Sequence, residues 1–456
     1  MKRPTYYLGA LGCAALLAGL GGCASFSADG GHKRVRELVQ ERGGDAPVVG
    51  ASARSERVAD LLGQPLTAQS AVDIAMLNNR HLQAGYAELG IAEADLVQAG
   101  RLPNPSFSFG RVKTRGSGIS EGIEIERKFT LPVIALLTMP FTRPLEKRRF
   151  EQAQMRTAIE VLSVADETRR AWYAAVAAQQ SVVYMEQVQS AAEASAGLAR
   201  RMLEAGNWSA LQQAREQAFL ADAVAQLARA RQSSVAEREK LTRLMGLSGE
   251  QTAFVLPDRL PDLPAAPRAI MDAEAQAMSS RLDILMAQKE LAALSRSLGV
   301  TRATRFINLL DASYLNGESY GLHPERAEGY EIELEIPLFD FGGAKVAKAE
   351  ATYMQAVQRA AAGAIDARSQ VRESYAAYRS AFDVARHHRD EVVPLKKRIS
   401  DEQLLRYNGM LISVFELLAD AREQVASVNA AIEAQRDFWI ADSALQAAMS
   451  GAADQH

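Results

Sequence analysis

The chain holds only two thiols, Cys13 and Cys23, and Cys13 sits inside an apolar run over residues 8–20. Its one adjacent histidine pair, His387-His388, lacks the i,i+4 spacing with which a helix holds a metal, because neighbouring helical residues point in different directions. No phosphate-cradling glycine loop, nucleophile elbow or zinc signature occurs, so the chain reads as a non-enzyme with no cofactor and no metal site. The other candidates are carboxylates. Glu331, Glu333 and Glu335 alternate with Ile332, Leu334 and Ile336. Period-two alternation puts the acids on one face of a strand and the apolar residues on the other. Such a face is a negative surface that favours cations.

Cys23 has a different chemistry open to it. Lys2 and Arg3, the short apolar run and Leu20-Gly21-Gly22-Cys23 form a secretory signal. The end of that signal resembles a bacterial lipobox, in which small residues admit the peptidase and the freed cysteine carries diacylglycerol and an N-acyl chain. Several acyl chains anchor durably where one does not. Ala24 is not the aspartate that retains lipoproteins in the inner membrane, so the expected address is the outer membrane. A formal net charge of −3 over 456 residues gives no reason to expect a nucleic-acid partner. No later segment offers the roughly 18 apolar residues of a membrane-spanning helix, so a crossing would have to use strands.

The elements that would position these residues come in two copies. Glu88-Leu89 recurs as Glu290-Leu291, and Arg170 with Tyr173-Ala174-Ala175 recurs as Arg372 with Tyr375-Ala376-Ala377, both at an offset of 202. Gly206 followed by Arg215-Glu216-Gln217 recurs as Gly409 followed by Arg422-Glu423-Gln424, at an offset of 203 for the glycines. Pro257, Pro261, Pro264 and Pro267 separate the copies. The expected divisions are a signal peptide over 1–22, an extended lipid-anchored lead-in over 23–64, a first repeat over 65–250, a linker over 251–268 and a second repeat over 269–451. Residues 146–256 contain no proline and are rich in helix formers, which predicts two helices of about 60 and 40 residues meeting at Gly206-Asn207. Pro394 predicts a kink in the second copy.

Each copy also holds a strand pair. Ser106-Phe107-Ser108-Phe109 and Ile123-Glu124-Ile125-Glu126 flank a polar loop over 113–122, and strands over 308–315 and 330–336 flank another over 316–329. Four strands are too few to close a barrel, since about eight is the smallest common number. Three copies would supply twelve strands and twelve long helix tracks.

Lipobox, strand pair, long helix pair and proline linker, in this order and repeated, resemble the TolC-like outer-membrane efflux family. Residues 71–75 with 78–82 look like its opening helix signature, and Ile336-Pro337-Leu338-Phe339-Asp340-Phe341-Gly342-Gly343 like its strand-to-helix turn. The resemblance implies a mainly α chain with a small membrane β-barrel: two repeats of strand, strand, long helix, long helix, assembled as a homotrimer whose 12-stranded barrel continues into an α-helical barrel. Arg406, Tyr407 and Gly409 with Ser413, and Gly206-Asn207 in the first copy, resemble the family's periplasmic tips. The resemblance implies that these meet a periplasmic adaptor protein working with an inner-membrane efflux pump. The family's aperture ring of carboxylates points to Glu416 and Asp420, which follow Gly409 closely although not at the family's standard spacing, and Glu331, Glu333 and Glu335 would line the barrel. The expected function is passive exit of drugs or metal ions. Two rivals are a pore-free lipid-anchored coiled-coil scaffold and a duct for secreted polypeptides.

Overall fold

In the computed structural model the described residues are 25–44, 51–116, 119–305, 310–320, 325–335 and 339–452, with the side chains of 51–53, 114–116, 119–121, 414, 415 and 418 excepted. Residues 1–22, Cys23, Asn308 and Ile336-Pro337-Leu338 lie outside them. Among the described residues four helices come first: α1 (His32–Gln40), α2 (Ala51–Leu62), α3 (Ala68–Asn78) and α4 (Arg80–Ala99). A hairpin, β1 (Ser106–Gly116) and β2 (Ile119–Leu131), precedes the long helices α5 (Val133–Glu204) and α6 (Ala210–Met245). The same order follows again: α7 (Ala273–Ser280), α8 (Leu282–Thr304), β3 (Leu310–Tyr320), β4 (Glu325–Leu334), α9 (Gly343–His387), a π turn (His388–Val392), α10 (Val393–Asn408) and α11 (Val414–Ser450). The chain divides into two compact units.

One unit comprises the described residues within 25–33, 87–154 and 286–361 and contains the four-stranded sheet. Its strands lie in the order β1-β2-β3-β4, antiparallel throughout. The strands are longer than the alternating runs suggest. Residues expected as polar loops pair instead, as in Thr114↔Gly122 and Asn316↔Glu328. Backbone pairing does not require apolar side chains where neither face is a packed core, so polar stretches extend the ladder. The helix α5 likewise begins earlier than residue 146 and runs through Pro140 and Pro144. Each proline removes one helical hydrogen bond. Residues 140–144 are exposed, so the freed carbonyls are not stranded in an apolar core. At the start of α9 the left-handed residue is Gly342 (φ 73°), where a Cβ would come within 2.6 Å of the Arg305 carbonyl oxygen. Asp340 Oδ1 accepts from its N–H at 2.8 Å.

The other unit comprises residues 34–86, 155–285 and 362 onward. Part of the lead-in expected to be extended is helical here. Val35, Leu38 and Val39 of α1 are buried on one face, and Val58 of α2 joins the main core with Leu61 and Leu62. Charged and glycine residues mask that i, i+3, i+4 pattern in the sequence. The core is built around Trp172, whose Nε1 donates to the Leu66 carbonyl at 3.0 Å, and Tyr173, which stacks on Trp439 at 5.4 Å. A second cluster joins Tyr378, Phe382 and Phe438 to Leu263. Burying each such aromatic contributes about 2–3 kcal/mol. The proline-rich stretch is packed, with Leu256, Leu260 and Leu263 buried, and the Pro261 carbonyl accepts from Trp439 Nε1 at 3.0 Å and Gln435 Nε2 at 2.7 Å. Asn78 and Asn79 form the joint between α3 and α4 and hold the end of α6: Asn79 Nδ2 donates to the Leu244 carbonyl at 2.8 Å and Asn78 Nδ2 to that of Gly246 at 2.5 Å. The kink expected at Pro394 takes the form of the π turn just before it, which keeps the backbone helical while the missing N–H is passed over.

Candidate functional site: a two-faced sheet and two helix-pair turns

Register decides what each sheet face carries. Glu331 lies opposite Ser313, which lies opposite Thr130, which lies opposite Ser106. The same face holds Glu333, Asp311, Lys128, Glu126 and Glu124, and Lys128 Nζ reaches Glu331 Oε2 at 2.5 Å. Glu331 and Glu333 therefore share a polar, mostly acidic face. Glu335 lies beyond the end of β4.

The opposite face carries an aromatic row across all four strands: Phe107↔Phe129, Phe129↔Tyr314 and Tyr314↔Tyr330. Towards the helices the next row is Leu131, Ala312 and Ile332, followed by Leu310 and Leu334. Tyr330 is 87% exposed, Ile332 75% and Phe107 66%. An apolar face this bare in a single chain needs a cover other than water. On the far side of the aromatic row the same face becomes mixed: Phe109, Ile125 and Ile123 share it with polar groups, Arg127 Nη1 donating to Asn316 Oδ1 at 3.0 Å and Arg326 lying near Glu318 at 3.3 Å. A banded face edged by aromatics is the pattern of a strand in lipid. Among the described residues both outer strands, β1 and β4, have an unpaired edge.

In the helical unit, the turn between α5 and α6 is a Schellman motif. The N–H of Asn207 donates to the Met202 carbonyl and that of left-handed Gly206 (φ 72°) to the Leu203 carbonyl, both at 2.9 Å. Ser209 then opens α6 in a capping box with Gln212. The turn between α10 and α11 repeats this one residue later than the glycines suggest. Leu411 N–H donates to Arg406 and Met410 N–H to Tyr407, both at 2.9 Å, and the left-handed residue is Met410 (φ 60°). Gly409 has φ −78°, so the left-handed step falls on its neighbour and not on the glycine. Ser413 forms the capping box with Glu416. The structural offset of the turns is therefore 204, Gly206 matching Met410. Upstream, Val176 and Tyr378 are both buried at the sequence offset of 202, two residues short of the offset between the turns. The wider π turn takes up extra chain in that interval.

The carboxylates near the second turn have unlike settings. Glu416 Oε2 accepts from the Ser413 N–H at 2.9 Å and its Oγ at 3.1 Å, so it caps the helix. Asp420 has a buried Oδ2 with no hydrogen-bond partner among the described residues. At the offset of 204 its counterpart is Glu216, which sequence reasoning did not single out as a site residue. Glu216 is fully buried on α6 and accepts from Ser195 Oγ and from Arg422 Nη2, each at 2.7 Å. Arg422 in turn lies 4.5 Å over the Phe219 ring. The sequence shows an Arg-Glu-Gln triplet in each copy but not which member turns inward. Farther along α5, Asp166 is buried beside Ser443 Oγ (2.6 Å) and Arg170 Nη2 (2.7 Å), and burial raises its carboxyl above the ordinary aspartate value. No group of three or more metal-ligating side chains occurs among the described residues.

No family model matches the chain, and no curated protein does. Solved structures do. The Campylobacter jejuni CmeC outer membrane channel superposes with a TM-score of 0.73 at 17% identity, over 85% of this chain and 86% of that one. The open state of the Neisseria gonorrhoeae MtrE outer membrane channel gives 0.69 at 15% identity, over 85% and 89%. The outer membrane protein VceC from Vibrio cholerae gives 0.68 at 16%, over 84% and 96%. At these identities the likeness is one of fold.

Proposed function

We propose that this chain, which has the fold of the TolC-like outer-membrane channels, is one subunit of an outer-membrane exit duct that passively conducts solutes delivered by an inner-membrane efflux pump. The observation that carries the reading is the sheet: an exposed apolar face edged by aromatics, an acidic opposite face and two unpaired edges. Four strands cannot close on themselves, and a sheet edge is costly in lipid, so each chain must pair its edges with other copies. Three copies contribute twelve strands to a barrel, with Glu331 and Glu333 facing the water inside and Tyr330, Ile332 and Leu334 facing lipid. The same trimer gathers the long helices into a helical barrel, and the two halves of the chain are read as one repeat. A pore-free scaffold would have no use for so much bare apolar strand surface.

Cys23 carries the lipid that anchors the mature chain once 1–22 is removed. The two turns, with Gly206, Asn207, Arg406, Tyr407, Gly409 and Ser413, form the contact with a periplasmic adaptor. Exposed Leu211, Met410 and Leu411 support this, since such apolar side chains at a turn suit a partner surface. Asp420 is the stronger of the two aperture candidates, because Glu416 is engaged in its cap.

The test is single-channel conductance of the full chain in planar bilayers, with oligomeric mass measured in parallel. Discrete cation-selective openings from a trimer are expected. Replacing Glu331 and Glu333 by Gln should lower the preference for cations without abolishing conduction. A non-conducting monomer or dimer would overturn the proposal.

A further inference from the structure

In the strand-bearing unit, α5 and α8 leave a groove of about 520 Å³ between them. Phe141, Pro144, Leu145, Ala293 and Val300 give it apolar walls. Phe141 is 54% exposed, and the rings of Pro140 and Pro144 stiffen the helix turn that faces the groove. Arg148 and Arg296 also line it, and neither has a carboxylate partner among the described residues. Several cations nearby are paired, Lys289 with Glu151 at 2.7 Å, Arg302 with Glu350 at 2.5 Å and Arg149 with Glu146 at 2.7 Å, while Arg143 and Lys147 do not line the groove; what sets Arg148 and Arg296 apart is that they line it without such a partner among the described residues. An apolar trough with two uncommitted guanidinium groups matches a molecule that has a hydrocarbon tail and an anionic oxygen head.

The position of the groove narrows the source. It starts within two turns of the end of β2, on a helix that begins at Val133 just after Leu131. Thr138 and Thr142 line both this groove and an adjoining one that holds Phe26, so the two open on the same side of α5. We propose that the groove binds an anionic phospholipid of the surrounding membrane, one acyl chain lying along Phe141, Leu145 and Val300 and the phosphate held by Arg148 and Arg296. The proposal rests on the reading that the sheet spans a membrane. Basic pockets beside membrane-spanning segments select anionic headgroups, and the unpaired arginines supply the charge the phosphate lacks.

The test uses the full chain purified in detergent, with phosphatidylglycerol, phosphatidylcholine and inorganic phosphate as probes and native mass spectrometry as the readout. Phosphatidylglycerol should stay bound in preference to phosphatidylcholine. Arg148→Gln with Arg296→Gln should weaken its retention roughly tenfold or more, the usual cost of losing charge-assisted hydrogen bonds. Arg143→Gln with Lys147→Gln, which alters exposed cations that do not line the groove, should leave retention unchanged. Equal retention of the two lipids, no effect of the arginine pair, or displacement by phosphate alone would overturn the proposal. So would a photoreactive fatty acid carried on Cys23 that cross-links within residues 138–148, or a cross-link from Phe141→Cys to a second copy, since each names a different occupant. Flotation with phosphatidylglycerol vesicles reports separately on the membrane reading. A chain that retains the lipid in detergent without floating still supports the groove.

Discussion

Arg422→Met isolates what the buried carboxylate on α6 needs. Methionine keeps an apolar stem over Phe219 while removing the guanidinium 2.7 Å from Glu216. Glu216 has no exposed surface, so its charge would retain only the hydroxyl of Ser195. Stranding one partner of a buried pair costs about 3–5 kcal/mol. Arg422 is itself one-third exposed, and screening there brings the expected loss to the lower end, about 3 kcal/mol. That corresponds to roughly a hundredfold faster hydrogen exchange by local opening in the peptides of α6 and α11 around these residues. The assay is hydrogen–deuterium exchange with mass spectrometry on the detergent-solubilised chain at pH 7. Glu216→Gln combined with Arg422→Met should regain most of the lost protection, because no charge is then left unpaired. Equal exchange in Arg422→Met and wild type, or a double variant no better than the single one, would refute the reasoning.

Met410→Gly should stabilise the second turn by about 1 kcal/mol by removing left-handed strain from a side chain that is almost fully exposed, and Gly206→Ala should cost the first about 1–2 kcal/mol, both read as exchange protection of the flanking helix ends. Asp166 has a raised carboxyl pKa through burial, so the folded state holds its proton more tightly than the unfolded chain does. Its contribution is complete below the unfolded value and is lost as pH rises through the folded one. Urea midpoints between pH 4 and 7 should consequently fall less steeply for Asp166→Asn than for wild type; parallel curves would contradict this. Ile332→Arg, on the bare apolar face, should cost up to about 2–4 kcal/mol of membrane insertion if it lies near mid-bilayer, seen as reduced flotation with vesicles.

Local pattern carried much of this fold. The alternation over 330–335 locates β4 and the proline-free run locates the long helices, because each of these signals acts within one or two turns of chain. The glycines of the two turns were legible as turns, yet Gly409 and Met410 look interchangeable until the backbone hydrogen bonds assign the left-handed step to Met410. The extent of the strands was not legible, since polar residues join a ladder only when a partner strand supplies the complementary backbone groups. The helices α1 and α2 went unseen because their apolar faces are short and matter only against a core contributed by distant residues. Glu216 and Asp166 read as ordinary surface acids on helices, and Arg148 and Arg296 as ordinary surface bases. Their sequence neighbours determined that they lie on helices; only the packing of one helix against another decided which charges are buried and paired and which two line an apolar groove, because burial and pairing depend on contacts that no local period encodes.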